Sequence, residues 1–476
     1  MVPVTTSAPP TPLPGDLLEL TAGEAANGGW CVARADELGG LVLFVRHALP
    51  GERVRAVLTQ VTAKLSRADA VEILDPSPDR VTPPCPHARP GGCGGCDWQH
   101  ASLPAQRRLK ASVISQQLAR IAGLEREVTV EALAGDEAPA GDEPAGDEPN
   151  GPPAGPARRD NPAPGLGWRT RVTFAVGRDG TAGLHRHRSH EIVPMTECPI
   201  AHPLVNAAGV PGRSWPGATS VQVTVVPATG ERGVLVTGHV RGKLPAVAAD
   251  SVRLVGRGGA RTALAGRGYL TQHAAGRDWR TDLAGFWQAH PAAADTLTAA
   301  VLEALAPRPG DVALDLYSGA GLFAGVLARV VGPDGRVIAV EGDVAAARDA
   351  RNNLREWPWA RVHRGDVGEV LARLGLSGAT LAVLDPPRTG AARPVVDALI
   401  GGAGGESLRR IAYVSCDPAT LARDLKLLTA GGWDLEHLRA FDAFPMTHHV
   451  ECLATLSRAP QAPGPQSGPL DHGRPA

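Results

Sequence analysis

Two patterns of apolar and polar residues divide the chain into a strand-rich first part and a second part in which strands and helices alternate. Over residues 15–75 and 168–285, short runs such as LLELT and VQVTVVPA alternate apolar and polar side chains between turn residues. This alternation is typical of half-buried strands. From Gly310 onward, continuous apolar runs such as VALDL and IAYV are separated by helical patterns, which predicts a parallel α/β sheet.

The pattern predicts an α/β protein with three ordered domains. Residues 15–75 are expected to form a small β-barrel with a tight turn at Gly28, residues 76–285 a central β-rich domain, and residues 286–458 a Rossmann-like domain. Residues 103–124 have apolar residues at helical spacing, with basic residues on the other faces. Three segments are too rich in proline or like charges to bury a core, and we expect them to be disordered: residues 1–14, an acidic insert at about 133–165, and the tail 459–476.

The net charge of the chain is informative only when the acidic insert is counted separately. The whole chain has a net charge of −1, but residues 131–166 hold eight acids and two arginines, and the remainder contains 46 basic and 41 acidic residues. This mild excess permits an RNA partner. The sequence has neither an apolar run long enough to span a membrane nor the basic start and apolar core of a signal peptide. We therefore expect a cytoplasmic monomer with no membrane contact.

Three of the seven cysteines lie in one glycine-rich segment, CPHARPGGCGGCDWQH at residues 85–100. Cys85, Cys93 and Cys96 are spaced as in a loop that wraps a metal centre, because glycine lets the backbone approach sulfur ligands. Cys198, in VPMTECPIAHP, is the best candidate for a fourth thiolate. Three close cysteines and one distant one suit an iron–sulfur cluster. A zinc site, which more often pairs two C-x2-C hooks, stays open as the alternative.

The most basic stretch lies in the expected strands of the central domain, between residues 168 and 193. Its arginines and histidines indicate either an interface for RNA phosphates or a solvated face of the sheet. They are Arg169, Arg171, Arg178, His185, Arg186, His187, Arg188 and His190.

Residues 312–323, VALDLYSGAGLF, predict a strand, a glycine turn and a helix beside a cofactor. Gly319 and Gly321 permit the tight turn and the close approach of a ligand. Glu341 ends the next strand twenty residues after Gly321, where an acid can accept both hydroxyls of a ribose. Asp366 follows a further strand, where it could accept from an adenine amino group. The glycine pattern alone also fits a nicotinamide dehydrogenase.

The fourth strand of this domain, LAVL, ends in a rigid Asp385-Pro-Pro-Arg388 turn for which a nicotinamide enzyme has no use. S-adenosylmethionine-dependent methyltransferases use such a turn to place the target base beside the methyl donor. Enzymes that methylate exocyclic base nitrogens usually have an aromatic residue where this chain has Arg388. We therefore expect the target to be a different kind of atom.

Cys416 follows the strand IAYVS and precedes a helix, at the edge of the sheet where ligands bind. A helix N-terminus favours a thiolate, although a cysteine at a strand end is also commonly a packed hydrophobe. A thiolate that adds to carbon 6 of a pyrimidine makes carbon 5 a nucleophile, and a base then removes the carbon 5 proton. Glu451, in the apolar run VECLATL, is the candidate base, with His448 or His449 as the alternative.

Together these residues show that the chain resembles the RNA uracil-carbon-5 methyltransferase family, class I enzymes that make 5-methyluridine in tRNA or ribosomal RNA. LDLYSGAGLF, LDPPRTG, YVSCDPATLARDL and the Phe-Pro-x-Thr-x-His-x-Glu run at residues 444–451 are motifs of that family. The likeness covers most of residues 16–458. The Ala-Leu-Pro-Gly-Glu segment at residues 48–52 also resembles part of a TRAM domain, a small RNA-binding barrel, and a generic five-stranded barrel with another role is the alternative.

The resemblance implies a role for individual residues. It implies that Cys416 is the nucleophile, that Glu451 removes the proton and that Asp385 orients the target uracil. Four cysteines match the ligands of the family's 4Fe–4S cluster: Cys85, Cys93, Cys96 and Cys198. The implied contacts to S-adenosylmethionine are Gln288, Tyr317, Glu341, Asp366 and Asp385, beside Gly319 and Gly321 of the turn.

The chain departs from the family pattern in three places. The first cysteine gap is seven residues, where many members have five, so the loop is longer. Leu322 replaces a polar residue that is common after the second glycine, and Met446 stands where many members have histidine. The second of these replacements weakens any role for a histidine relay, while Cys416 and Glu451 are unaffected.

Overall fold

A computed structural model of the protein describes residues 12–62, 64–136, 162–240, 243–376, 378–401 and 407–458. Most of the segments that we expected to be disordered lie outside these residues. The two ends of the expected acidic insert lie inside them. Leu133 packs in a hydrophobic core, and Asp136 Oδ1 accepts a hydrogen bond from the Gly165 amide at 3.3 Å.

The first part of the chain forms a six-stranded sheet. Its strands are β1 (Leu17–Thr21), β2 (Ala25–Ala26), β3 (Trp30–Ala35), β4 (Leu41–Arg46), β5 (Arg53–Val61) and β6 (Ser66–Asp75). They lie in the spatial order β1-β5-β6-β4-β3-β2. Buried and exposed residues alternate as the sequence pattern predicted, so that Leu18 and Leu20 of β1 face the core of this sheet. The turn between β2 and β3 uses Gly28 at a φ of 94°, a conformation that favours glycine.

Helix α1 (Leu103–Gln117) follows the cysteine segment, continues as a wider turn over Leu118–Ala122, and precedes the short strand β7 (Val130–Ala132). The Ser102 hydroxyl caps it by accepting from the Ala105 amide at 3.4 Å. The expectation that its basic residues lie away from the buried face is wrong for Lys110, which is 1% exposed. An ion pair with Asp442 compensates the buried charge.

The middle of the chain forms a seven-stranded sheet and a separate hairpin. The strands are β8 (Arg171–Val176), β9 (Ala182–His185), β10 (Ile192–Pro194), β11 (Ala218–Val226), β12 (Glu231–Gly238), β13 (Ser251–Val255), β14 (Arg261–Ala265), β15 (Tyr269–Ala274) and β16 (Arg277–Asp282), with helix α2 (Pro203–Ala207) between β10 and β11. The sheet order is β10-β9-β8-β11-β12-β13-β14, and β15 pairs with β16. Trp168, Phe174 and Trp215 fill the core beneath the sheet.

The last part forms an eight-stranded sheet between helices. The strands are β17 (Val312–Leu316), β18 (Arg336–Glu341), β19 (Ala360–Arg364), β20 (Leu381–Leu384), β21 (Arg410–Ser415), β22 (Asp434–Asp442) and β23 (Glu451–Ser457), and the helices are α3 (Ala293–Leu305), α4 (Leu322–Val331), α5 (Val344–Asn353), α6 (Val367–Leu374), α7 (Arg393–Gly401) and α8 (Pro418–Ala430). Five strands run parallel in the order β19-β18-β17-β20-β21, while β23 is antiparallel to β21. Leu314 and Leu316 of β17 join one core and Ala313 the other, because successive side chains point to opposite faces. The predicted α/β fold class is confirmed.

Residues before the central sheet complete this last sheet. β7 pairs in parallel with β22 and forms the eighth strand. Ile114, Leu118 and Val130 belong to the same core as Leu425 of α8. Helix α1 therefore lies beside the end of β22, although the sequence-based boundaries assigned it to the central domain. None of the helices in the described residues is long and apolar enough to cross a membrane.

Candidate active site

A cavity of about 600 Å³ opens at the carboxyl ends of β17, β18, β20 and β21. This is the edge of a parallel sheet at which ligands bind. Among the residues predicted to hold the cofactor or to react, all except Gly321 line the cavity. They are Gln288, Tyr317, Gly319, Glu341, Asp366, Asp385, Cys416 and Glu451.

The glycine turn after β17 is organised around Glu341. The Glu341 carboxylate accepts hydrogen bonds from the amides of Gly319 and Asp343, both at 2.7 Å. Gly319 borders open space, since an added Cβ would meet nothing within 4 Å. Gly321 instead begins α4 at a φ of 87°, and a Cβ there would meet Ala350 at 3.3 Å. Gly319 thus leaves room for a ligand, whereas Gly321 serves the turn and the packing.

The other predicted cofactor residues are held by local contacts. The Tyr317 hydroxyl accepts from the Ala392 amide at 3.3 Å, and its backbone has a strained φ of 65°. Asp366 caps α6 by accepting from the Glu369 amide at 3.1 Å. Gln288, on the connection between β16 and α3, is 7% exposed.

Two buried polar groups lie at the end of β17. Near the end of this strand, the Asp315 carboxylate is predicted from the sequence to meet a cationic or hydroxyl-bearing cofactor, whereas Ser318 was not assigned to the site. Asp315 Oδ2 accepts from the Ala324 amide at 2.7 Å. Asp315 Oδ1 and Ser318 Oγ have no hydrogen-bond partner among the described residues. Burial raises the pKa of Asp315 to about 8. Ser318 lines the cavity, and a buried polar atom without a partner at a cavity indicates that a ligand supplies one.

The wall of the cavity is acidic. Glu341, Asp366, Asp385 and Glu451 contribute carboxyl groups, and Arg388 is the cation opposite them. An acidic cavity attracts a cationic ligand. S-adenosylmethionine carries a sulfonium and an ammonium group, so the residues present fit the cofactor that the sequence motifs imply.

Cys416 lies at the junction of β21 and α8. Pro418 occupies the first turn of α8, and the Asp417 carboxylate accepts from the amides of Ala419 and Thr420 at 3.0 and 2.9 Å. Other groups oppose the effect of the helix N-terminus, which favours a thiolate. Burial and the carboxyl groups of Glu451 and Asp385 raise the pKa of the Cys416 thiol to about 12, against the opposing effect of Arg388.

Glu451 and Asp385 are two carboxyl groups with raised pKa values on the same cavity wall. Glu451 is 4% exposed and begins β23 opposite Phe441. Burial and the nearby Asp385 hold the pKa of Glu451 well above its ordinary value, and Arg388 opposes them. Burial raises the pKa of Asp385 to about 7. A carboxylate with a raised pKa is a stronger base once it is ionised.

Neither histidine that was considered as the base lines the cavity. His448 Nδ1 lies 2.6 Å from Asp97 Oδ2. His449 Nε2 lies 3.2 Å from an Arg388 nitrogen, and burial, His448 and Arg388 lower the pKa of His449 to about 3. His449 Nε2 accepts a hydrogen bond from the Arg388 guanidinium, and Arg388 in turn lowers the pKa values of Cys416 and Glu451.

The four cysteines that were predicted as metal ligands line one second cavity: Cys85, Cys93, Cys96 and Cys198. The Gly95 amide donates to Cys93 Sγ at 3.3 Å. Burial raises the pKa of the Cys93, Cys96 and Cys198 thiols, so a positive centre has to replace their protons before they become thiolates. Within the described ranges, no three His, Cys, Asp or Glu side chains are gathered closely enough to hold a single metal ion.

The basic stretch of the central sheet is divided between surface and interior. Arg178, His185, Arg188 and His190 are exposed. Arg171 is half-buried, and its Nε is enclosed without a hydrogen-bond partner among the described residues. The interface for RNA phosphates remains a prediction, and the exposed members are the ones best placed for it.

Two family profiles match the chain in its last part. The profile of tRNA (uracil-5-)-methyltransferase matches residues 375–459, which include Asp385, Cys416 and Glu451. The profile of protein-L-isoaspartate(D-aspartate) O-methyltransferase matches residues 286–369, which include the glycine turn and Glu341.

Relatives match over nearly the whole chain. An uncharacterized RNA methyltransferase of Streptomyces avermitilis is 48% identical, covering 94% of this chain and 99% of its own length. One of Bifidobacterium longum is 34% identical over 91% of this chain and 95% of its own. The fold is shared with the tRNA (uracil-54, C5)-methyltransferase of Pyrococcus abyssi, solved with S-adenosyl-L-homocysteine, at a TM-score of 0.65 and 21% identity over 92% of this chain and 99% of that one. The chain therefore belongs to the RNA uracil-5-methyltransferase family of S-adenosylmethionine-dependent enzymes.

Proposed function

We propose that the protein methylates carbon 5 of a uridine in tRNA or ribosomal RNA through a covalent bond between Cys416 and the uracil. The observation that carries this proposal is that Cys416, Asp385 and Glu451 line the same cavity as the cofactor residues Gly319 and Glu341. A protein that only bound RNA would need neither a thiol nor two buried carboxyl groups at that place.

Each of these residues has its own role in the proposed reaction. Cys416 Sγ gives its proton to water and adds to carbon 6 of the uracil. The electrons of the double bond between carbons 5 and 6 move onto the carbonyl at carbon 4, and the resulting enolate makes carbon 5 a nucleophile. S-adenosylmethionine, when bound, supplies the methyl group that carbon 5 takes up. Glu451 then removes the carbon 5 proton, the ring becomes aromatic again, and the bond between Cys416 and carbon 6 breaks. Asp385 orients the uracil, and Arg388 favours the ionised forms of both Cys416 and Glu451.

The surface around the cavity supports an RNA substrate. Phe286, which is 63% exposed, and Phe444 line the cavity, where aromatic rings can stack on an extruded base. At the edge strand β19, arginines from α5, β19 and α6 lie near His363. Burial lowers the pKa of His363 most, and these arginines lower it further. A phosphate backbone relieves the repulsion among such charges. The members of this group are Arg351, Arg361, Arg364 and Arg373.

The position of the methyl group tests the proposed reaction. RNA from a strain that lacks the gene should accept a labelled methyl group, and nuclease digestion with mass spectrometry should find it in 5-methyluridine. RNA from the parent strain, already modified, is the control and should accept little. A methyl group on a base nitrogen would instead indicate the alternative enzyme, and RNA binding without methyl transfer would indicate a non-catalytic protein.

We further propose that Cys85, Cys93, Cys96 and Cys198 hold a 4Fe–4S cluster. Their shared cavity and the Gly95 amide directed at Cys93 Sγ support the proposal. Zinc requires four ligand atoms at about 2.0–2.3 Å from one centre, whereas a cluster accepts sulfurs that are spread around a larger space. The methyl transfer itself needs no electron transfer, so we propose that the cluster has a structural role.

Iron and sulfide analysis of protein purified without oxygen distinguishes the two metals. We expect about four irons and four sulfides per chain. Cys198→Ala should lose most of both, while Cys31→Ala, which changes a cysteine of the first sheet, should retain them. One zinc per chain without sulfide would contradict the cluster.

A further inference from the structure

The connection between β22 and β23, residues 443–450, delivers several groups to the candidate active site. Phe444 lines the cavity. His449 contacts Arg388 at 3.2 Å, and the connection ends directly before Glu451. Its conformation therefore determines where the aromatic wall and the Arg388–His449 pair lie relative to Cys416.

This connection depends on contacts from outside itself. Met446 has a φ of 69°, a left-handed conformation that is unfavourable for a residue with a side chain. Its amide donates to Gln106 Oε1 at 2.7 Å. Its carbonyl accepts from the amides of Asp97 and Trp98, both at 3.1 Å. Both backbone polar groups of the strained residue are thus held by residues that are more than 300 positions earlier in the chain.

Two buried polar residues of α1, one turn apart, bind residues 442–446. Gln106 is fully buried, and its Nε2 donates to the Ala101 carbonyl at 2.9 Å, which fixes the orientation of its amide. Lys110 pairs with Asp442 and donates to the Phe444 carbonyl at 3.0 Å. Polar side chains are rarely buried on a helix without specific partners, and all the partners here except Ala101 belong to residues 442–446.

The cysteine segment contributes the remaining contacts. Asp97 directly follows Cys96, and its Oδ2 accepts from the His448 amide at 3.2 Å in addition to contacting His448 Nδ1. The loop that carries the cysteines and the connection that carries Phe444 and His449 are therefore bonded to each other at Met446 and at His448.

We propose that Gln106, together with the Asp97–Trp98 backbone, is a positioning element that holds the 443–450 connection in its reactive conformation. This inference rests on the proposed function. Through this element, the folding of the cysteine segment affects the rate of the chemical step. Cofactor binding is not affected, because the glycine turn, Glu341 and Asp366 follow β17, β18 and β19, which β20 and β21 separate from β23 and β22 in the sheet. A purely structural contact would instead lower stability and affect all functions of the site together.

Gln106→Met tests the inference, because it keeps the volume of the side chain and removes its hydrogen bonds. We expect kcat for RNA methylation to fall by about tenfold or more, since small displacements of reacting groups are costly, while the KM for S-adenosylmethionine changes by less than about twofold. Hydrogen exchange should accelerate in residues 443–450 and stay unchanged in β17 and β18. Gln116→Met, on the exposed side of the same helix, is the matched control and should leave both constants unchanged.

Two further outcomes decide the matter. If Gln106→Met does not fold, Gln106→Glu, whose protonated carboxyl keeps an acceptor for the Met446 amide and a donor for the Ala101 carbonyl, should fold and show most of the wild-type kcat. A folded Gln106→Glu without that activity, or one that does not fold either, would overturn the inference. An unchanged kcat in Gln106→Met, or equal losses in kcat and in cofactor affinity, would overturn it too. Failure of the wild type to form 5-methyluridine would instead refute the proposed function.

Discussion

Replacing Cys416 with alanine should abolish methyl transfer, with a loss of about 10³-fold or more, as is typical for removal of a nucleophile. Without Sγ no bond to carbon 6 can form, and carbon 5 of the uracil stays unreactive. Binding of S-adenosylmethionine should persist, because Cys416 lies beside the cofactor residues without supporting their hydrogen bonds. The rate is measured as incorporation of labelled methyl groups into unmodified RNA.

Cys452→Ala is the matched control for this variant. Cys452 is buried on the neighbouring strand β23, opposite Ser415, and does not line the cavity. Its replacement should leave the rate within about threefold of the wild type, since a buried cysteine acts as a small hydrophobe. A Cys416→Ala enzyme that retained a tenth of the wild-type rate would show that another group attacks the uracil.

Replacing Glu451 with glutamine should stop the reaction after the first bond has formed. The cysteine adds and the methyl group is transferred, but the carbon 5 proton remains, so the enzyme should accumulate as a covalent complex with ordinary RNA. We expect turnover to fall by about 10²- to 10⁴-fold, the usual contribution of a general base. Denaturing electrophoresis of enzyme mixed with labelled RNA measures the complex.

Glu436→Gln provides the comparison, because Glu436 is a glutamate on β22 that pairs with Arg410 away from the cavity. It should turn over normally and show no accumulated complex. Free turnover by Glu451→Gln would show that another group acts as the base.

In the wild type, the rate of methylation should rise with pH, because burial raises the pKa of Glu451 and the base has to be ionised.

Much of the last sheet could be predicted from the sequence because its elements are specified locally. Continuous apolar strands, glycine turns and strand-end acids occur in order, and each parallel strand delivers its end to the same edge. For this reason Glu341, Asp385 and Cys416, each predicted at the end of a strand, line one cavity.

The position of α1 and β7 could not be predicted in this way. Both elements precede the central sheet in the chain, yet β7 pairs with β22 and Lys110 pairs with Asp442, more than 300 residues later. A lysine on a helix is normally read as a solvated residue. Only the three-dimensional structure shows that a carboxylate from a distant strand compensates its burial.

The pKa of the Cys416 thiol could not be predicted from its neighbours in the sequence, for the same reason. The neighbouring residues in the sequence show a helix N-terminus, which favours a thiolate. The carboxyl groups that oppose it, Asp385 and Glu451, come from other strands and are brought together only by the folded sheet. Burial and these carboxyl groups raise the pKa of the thiol, and positive charge such as that of Arg388 favours its ionisation.

Peptide mapping of a trapped complex tests the central claim most directly. RNA that carries 5-fluorouridine at the target position has no removable proton at carbon 5, so the wild-type enzyme should remain bonded to it. Mass spectrometry of the digested complex should place the methylated fluorouridine on Cys416, and Cys416→Ala should form no complex. A complex bonded at another residue, or one that persists in Cys416→Ala, would contradict the account.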